Sequence, residues 1–405
     1  MTNIHRSAGV KIPDFPVGRP ESCPFDPDEI YTRLRAEEPM TLVHCPAGMD
    51  AWLISRYEDM RHMLADRSLS SRAAGSDHML PSYDGHEPLP GFMIQLDGQE
   101  HARLRRLLIG EFTVRKMEAL RPYVQKITDE HIDAMLAGAG ADLVPDFALP
   151  IPSKVICEML GVPYKDHEMF QLDSQVLMSF EADEVSRGAA SQRLEAYLGE
   201  LIRQRITEPQ GDLLSRLIAR SNGTDRPLEV GEPATLSVLL LVAGHDTTAN
   251  MITLGMLMLL ENPGKLAELR ADPDLIGTAV EELLRYLSVI QFGLLRYATR
   301  DVTIGGTEVK AGEWLVAAVP SGNRDESVFP SSDTLDLGRQ VRTNLAFGFG
   351  AHVCIGQHLA RIELQVALST LLHRIPELRL AEPLAQSEFK RNDIVYGLQS
   401  MRVTW

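Results

Sequence analysis

The sequence predicts a mainly α-helical fold with small β-sheets. Apolar residues recur at helical spacing from about residue 98 to 290, whereas short alternating runs cluster near the two ends of the 405-residue chain. No Gly/Ser run, Pro-rich spacer, low-complexity tract or internal repeat separates these regions.

Taken in order, residues 26–38 read as a short acidic helix closed by Pro39. Thr41 to Ser55 alternates apolar and polar residues around Pro46-Ala47-Gly48, the pattern of a hairpin. Tyr57 to Ala65 is helical. Residues 68–96 mix Ser, Gly, Pro and His without periodicity, and irregular stretches of that length are often functional. Gln99 to Ile109 returns to helix, and further helices are expected near 115–137, 153–160, 165–180, 189–207 and 211–219. A long central helix runs from about 232 to 260 and stops before Asn262-Pro263. Residues 274–287 form another helix. Residues 294–318 read as short strands turning at Gly305-Gly306, and 321–345 as a polar meander. A glycine-punctuated loop at 347–356 leads into a helix with Leu359, Ile362, Leu364, Val366, Leu368 and Leu371 as its apolar positions. The tail, 378–405, is strand-like.

Composition excludes several classes. The net charge of −16 argues against a general nucleic-acid or anionic-membrane binder. The opening Met-Thr-Asn-Ile-His-Arg-Ser has no apolar core of a signal peptide. Leu236 to Leu260 is long enough to span a bilayer, but His245, Asp246 and Asn250 sit at its centre, so a buried core helix is expected. Cys23, Cys45, Cys157 and Cys354 are scattered without a Cys-x-x-Cys, as in a reducing cytosol. The chain is therefore read as cytoplasmic.

Cys354 lies in Phe347-Gly348-Phe349-Gly350-Ala351-His352-Val353-Cys354-Ile355-Gly356, directly before a helix. Unpaired N–H groups and the helix dipole at that point favour a thiolate. The glycines let a flat ligand approach the backbone. One thiolate without a second cysteine cannot complete a zinc or iron–sulfur site, but it can serve as the single axial ligand of a haem iron. From the loop alone, a buried structural cysteine is an equal reading. In the central helix, Gly244, Asp246, Thr247 and Thr248 are poor choices for an apolar interior. Thr247 can hydrogen-bond the Ala243 carbonyl and open a local groove. A kinked helix with satisfied polar groups is the plainer alternative. His245 is read as structural.

Four motifs in order carry a resemblance. Phe347, Gly350, His352, Cys354 and Gly356 match the haem-binding signature of the cytochrome P450 superfamily. Ala243-Gly244-His245-Asp246-Thr247-Thr248 resembles its oxygen-activation segment, Glu282-Leu283-Leu284-Arg285 its Glu-x-x-Arg pair, and His101 with Arg105 its propionate-binding helix. The similarity runs from about Phe15 to Trp405. It implies a single domain over 1–405 with the P450 fold, the haem lying between the long central helix and the helix after the cysteine loop. It also implies haem b (heme) on Cys354 and O2 as co-substrate, with proton delivery through Asp246 and Thr247. Propionate contacts from His101, Arg105, Arg296 and His352 follow from it, as does a buried Glu282–Arg285 pair bracing the meander. An arginine of the meander usually joins that pair; Thr334 stands at the aligned position, and Arg339 is the candidate substitute.

The resemblance is strongest to actinobacterial monooxygenases that oxidise polyketides, macrolides and terpenoids. Substrate contacts are expected from the loop near 75–96, the helices around 168–200, Val242 and Ala243, Val289, Ile290 and Leu294, and Ile394 to Leu398. The chain has no flavin, nicotinamide or iron–sulfur unit of its own. NAD(P)H is therefore expected to act indirectly, through ferredoxin reductase and ferredoxin, on a monomer that binds neither nucleic acid nor membrane. Arg103, Arg105, Arg106, Arg115, Lys116, Arg121 and Lys126 against Glu111 and Glu118 make a basic stretch in an acidic protein, read as the docking patch for an acidic electron donor. Arg103 and Arg106 are expected to point away from the Arg105 face. The alternatives are a haem gas sensor or carrier on the same fold, and a member of the family performing epoxidation, desaturation or phenol coupling.

Overall fold

The structure, a computed structural model, describes residues 14–45, 48–72, 89–229, 231–340 and 343–405. The expected hairpin turn at Pro46-Ala47, the N-terminal residues and most of the 75–96 loop lie outside them. The described helices are α1 (Ile30–Glu37), α2 (Tyr57–Ala65), α3 (Gly98–Ile109), α4 (Val114–Glu118), α5 (Arg121–Leu136), α6 (Pro150–Leu160), α7 (His167–Met178), α8 (Glu184–Thr207), α9 (Leu213–Asn222), α10 (Glu232–Glu261), α11 (Pro263–Ala271), α12 (Ile276–Leu287), the single turn α13 (Val319–Gly322) and α14 (Gln357–Arg374). The strands are β1 (Met40–His44), β2 (Asp50–Ile54), β3 (Leu69–Ser70), β4 (Gly140–Asp142), β5 (Leu294–Ala298), β6 (Val302–Ile304), β7 (Thr307–Val309), β8 (Trp314–Ala317), β9 (Arg379–Leu380) and β10 (Arg402–Thr404). They form a sheet of order β1-β2-β8-β5-β3, a sheet of order β4-β10-β9 and the hairpin β6-β7.

Two apolar clusters fill the molecule. One surrounds α10, and the other lies under the five-stranded sheet, with Tyr57, Met60 and Met63 of α2 packed against Leu53, Leu315 and Val316. A helix of 30 residues runs about 45 Å. α10 is apolar on nearly all sides because it is the axle of the helical layer, with α6, α8 and α14 packed round it. Gly244 permits a close approach of α6: a Cβ there would lie 3.1 Å from Cγ1 of Ile156.

The expected elements are present with local differences. The 115–137 helix is two helices, because Thr113 caps α4 through the Lys116 amide and Pro122 starts α5 afresh. α11 follows Asn262 directly; Pro263 stops one helix and begins the next. Leu143 is followed by a π-turn over Val144–Ala148. The tail is less strand-like than its alternation suggests: only β9 and β10 pair regularly, and residues 387–401 make isolated bridges.

The meander is held by a fully buried ion pair. Arg285 donates from Nε and Nη2 to both Glu282 oxygens at 2.7 and 2.8 Å, and from Nη1 to the Asn323 carbonyl at 2.7 Å. Arg339 takes the place of the arginine missing at Thr334. Its Nε reaches Glu282 Oε1 at 3.1 Å, while its other nitrogens donate to the carbonyls of Pro330, Ser331 and Thr334. The Asp336 amide donates to the same Glu282 oxygen at 3.0 Å. Stripping one partner from a buried pair leaves the other charge uncompensated. Arg285→Ala is therefore expected to lower unfolding free energy by about 3–5 kcal/mol, and Arg339→Ala, at the edge, by about 1–3 kcal/mol. Denaturant unfolding measures both; equal losses would remove the ranking.

Candidate functional site

The cysteine loop takes its shape from its own glycines and backbone hydrogen bonds. Gly348 and Gly350 have φ of +70° and +76°, and a Cβ at Gly350 would lie 2.5 Å from the Leu64 carbonyl at the end of α2. The Cys354 amide donates to Phe347 O at 2.9 Å, closing the loop on itself. Arg361 of α14 lies over the Phe347 ring at 4.5 Å and pairs with Glu281. Gly356 precedes the first turn of α14, so Cys354 Sγ meets the amides of Gly356 and Gln357.

Among the four cysteines, Cys45 and Cys157 are buried, and burial pushes both thiols up to about 12. Cys354 alone is freely accessible, although protein surrounds it on nearly all sides, so it faces an internal space. The amides at the helix end favour the thiolate, as expected, but they are not the largest influence on the sulfur. Desolvation raises the Cys354 thiol above its ordinary value, outweighing the two amides and the charges of Arg105 and Arg361. A metal cation is what such a sulfur still requires, since coordination drives off the thiol proton.

The four cations expected to meet propionates converge. His101 and His352 rings lie 4.1 Å apart at 31°. Arg105 donates to the Val353 carbonyl at 2.7 Å beside the cysteine. Arg296 on β5 is buried, donates to Leu295 O at 2.6 Å, and is pushed down to about 10 by desolvation, with Asp97 opposing. The one carboxylate among them is Asp97, which sequence reasoning missed. Instead of capping α3 with its side chain, it takes the amide of Ser71, the hydroxyl of Ser70 and His352 Nε2 at 3.4 Å; burial raises its carboxyl, but these bonds win and hold it at about 2. His101 Nε2 is buried without a hydrogen-bond partner. Burial, then His352 and Arg105, hold the ring down to about 4. Four basic groups, one acid and an orphaned donor position fit a group with two carboxylates and a metal needing one thiolate: a haem.

On α10 the centre departs from the buried pattern. Ala243 is exposed and Leu239, Gly244 and Thr247 are half-buried, four residues on one helical face amid buried neighbours. The Thr247 hydroxyl donates to Ala243 O at 2.9 Å, as expected. Asp246 is buried on another face, where Lys390 Nζ lies 3.7 Å from its Oδ1. His245 is structural, its Nδ1 2.7 Å from Leu241 O and its proton affinity lowered by burial. Two further residues went unread. Lys390 sits in the tail. Glu363 on α14 is fully buried, with Oε1 unpartnered, and burial pushes its carboxyl up to about 8 against a hydrogen bond with Thr248. A carboxylate inside the apolar run between Leu359 and Ala367 was the available signal for Glu363.

Of the expected substrate residues, Leu294 lies against the cysteine loop, 3.4 Å from the Cβ position of Gly348. Ile290 bridges Val395, and the Gln291 amide donates to Ile394 O, so these two segments meet. Val289 is joined to them through the Tyr396 amide but is largely covered. Val242 and Leu398 are sealed in the core, which corrects their place in a pocket: Val242 turns into the helical layer and Leu398 closes a tail bridge with Phe389. In the basic stretch, Arg103 is corrected as well. It turns inward to Glu232 and Glu100, and Lys116 and Arg121 are paired with Glu111 and Glu118.

A long axial helix, a solitary accessible thiol in a glycine loop and a ring of cations define a haem-thiolate class of protein. Comparison with known proteins agrees. The family model described as Cytochrome P450 matches residues 28–376. Cytochrome P450-SU2 of Streptomyces griseolus is 44% identical over 409 residues, spanning 100% of both chains. The crystal structure of CYP105P1 in complex with filipin I is 42% identical with a TM-score of 0.91, covering 98% of this chain and 99% of that one. MycCI of Micromonospora griseorubida bound to mycinamicin VIII, a methyl hydroxylase, is 36% identical with a TM-score of 0.90, covering 97% and 100%. The chain belongs to the cytochrome P450 family, and is thereby an oxidoreductase of the haem-thiolate monooxygenases. Among the described residues no helix is long and apolar enough to cross a membrane.

Unfolded histidine titrates near 6.5, and His101 in the fold at about 4. Between these values the unfolded chain binds more protons, so the protein without haem loses stability as pH falls from about 6.5 towards 4. His101→Gln is expected to flatten that part of the profile, leaving the shares of His245 and His131, whose proton affinities burial also lowers. Unfolding midpoints across this range check it; an unchanged slope excludes His101 as the source.

Proposed function

We propose that this chain inserts one oxygen atom from O2 into a bulky, largely apolar natural product of the polyketide, macrolide or terpenoid class. The observation that carries the reading is the accessible Cys354 thiol beside Arg105, which itself belongs to a cluster with His101, Arg296 and His352. The relatives with filipin I and mycinamicin VIII bound support the substrate class, as do the apolar side chains of Leu239, Ala243, Ile290, Leu294 and Ile394.

Cys354 would bind the iron, and Arg105, Arg296, His101 and His352 would hold the propionates. Phe347, Gly350 and Gly356 keep the loop in shape, Ala243 would leave room for the bound group on its exposed face of α10, and Gly244 lets α6 pack close behind it. When bound, haem supplies the reductive activation of O2, whose second oxygen atom leaves as water after uptake of two electrons and two protons. The Thr247 hydroxyl holds a proton at the groove it opens beside Ala243. Asp246, on the neighbouring face of α10, brings protons inward from a polar cavity.

Carbon monoxide on the reduced protein is expected to give the red-shifted Soret band of a thiolate-bound haem, and Cys354→His to lose it. In Thr247→Ala, haem content and substrate binding stay near wild type while product per NADPH falls and peroxide rises, with Asp246→Asn instead slowing turnover by about a hundredfold. A retained thiolate spectrum in Cys354→His would falsify the ligand assignment, and full coupling in Thr247→Ala would remove the proton role.

Electrons come from ferredoxin, itself reduced by NAD(P)H through ferredoxin reductase, at a patch narrower than the sequence implies. Arg106 and Arg115 are exposed and carry no ion pair among the described residues, with Ile109 and Val114 exposed between them. Charge reversal at Arg106 and Arg115 is expected to slow reduction by ferredoxin and flatten its salt dependence. Stopped-flow reduction at low salt is the check, and unchanged rates there count against the patch.

A further inference from the structure

Lys390 has no role in the reading above, yet it is built into the molecule with care. Its backbone is fixed: its amide donates to Gly397 O at 2.9 Å, and its carbonyl accepts from Gln291 Nε2 at 3.2 Å. Its ammonium reaches inward across the fold to Asp246 on α10, and only about a tenth of either side chain is exposed. Among the described residues neither group has another ion pair within 4 Å.

A buried pair of this kind is no better for stability than a well-packed apolar pair. At 3.7 Å it is also too long for a hydrogen bond, so each head group still needs a polar neighbour. One is available. Asp246 and Lys390 border a cavity of about 40 Å³ whose other polar walls are Gln171 and Gln175 of α7, His245, Asn250 and Thr253 of α10 and Gln399 of the tail. A polar space of that size accepts one to about three waters. The titratable groups facing Asp246 are His245 on its own helix, with Lys390 and Asp393 from the tail.

We propose that Lys390 is a positioning residue for Asp246: its ammonium keeps the carboxylate turned to the cavity waters, from which the proton relay is refilled. This rests on the reading of Asp246 as the relay. The tail that carries Lys390 also holds the connection between α7 and α8, through Phe180 N to Asn392 O and Ile394 N to Met178 O, both at 2.8 Å.

Two measurements on the full chain test the proposal. First, amine-reactive labelling of Lys390, read by mass spectrometry, is expected to run several-fold faster in Asp246→Asn than in wild type, with or without haem; equal rates overturn the pairing. Second, in the reconstituted enzyme Lys390→Met is expected to cut product formation about tenfold, less than loss of the relay itself, and to raise the solvent isotope effect, with substrate affinity held. Lys390→Arg restores both, which a mere packing role would not predict for the isotope effect. Lys390→Met with wild-type turnover and isotope effect, while Asp246→Asn is slow, overturns the proposal alone; a fast Asp246→Asn overturns the relay beneath it.

Discussion

The Glu282–Arg285 pair is the interaction on which the cysteine loop depends. From Arg285 a continuous path of bonds leads to the site. Its Nη1 fixes the Asn323 carbonyl, Asn323 Oδ1 takes the Leu345 amide at 2.7 Å, and Leu345 O takes the Gly348 amide at 2.9 Å at the entrance of the loop. Ser288, in the left-handed region at φ +44°, ends α12 so that its hydroxyl can donate to Arg285 O while accepting from Asn323 Nδ2. Two charges are thus removed from water to hold a meander that has little regular structure of its own. The rigidity is spent on a loop whose glycines would otherwise leave the thiol free to wander.

The central helix has the opposite problem. Burial on all sides secures its position but leaves no ordinary place for polar groups. Several polar side chains near its centre answer by bonding their own backbone one turn back, as His245 does at Leu241, Thr247 at Ala243, Asn250 at Asp246 and Thr253 at Ala249, while Thr248 turns to Glu363. Such bonds satisfy the side chain while loosening the ladder locally. Asp246 cannot do this with a carboxylate, so its partner comes from elsewhere in the chain.

Periodic elements were legible in the sequence because burial on one face or all round leaves a repeat in the residues. α2, α10 and α12 fall within a residue or two of expectation. The cysteine loop was legible through its glycines and lone thiol, and the cation set through resemblance. Partners supplied by irregular backbone were not: Asp97 looks like an ordinary helix cap, Lys390 like a surface lysine, and Arg103 like an exposed cation until Glu232 is placed beside it. Thr334 shows the same limit from the other side. The brace is supplied by Arg339, five residues along, because a long guanidinium reaches Glu282 from more than one point of the meander.

The ring of His101, Arg105, Arg296 and His352 sets the molecule's dependence on iron supply. Arg105 and Arg296 stand beside His101, whose ring is held neutral, with Asp97 as the one acid near them, so two arriving carboxylates would find unmatched charge, and binding them would make the loaded chain a stronger fold than the newly made one. In a cell short of haem, the empty polypeptide would open more often and be cleared by proteases, and abundance would track cofactor supply without a dedicated sensor.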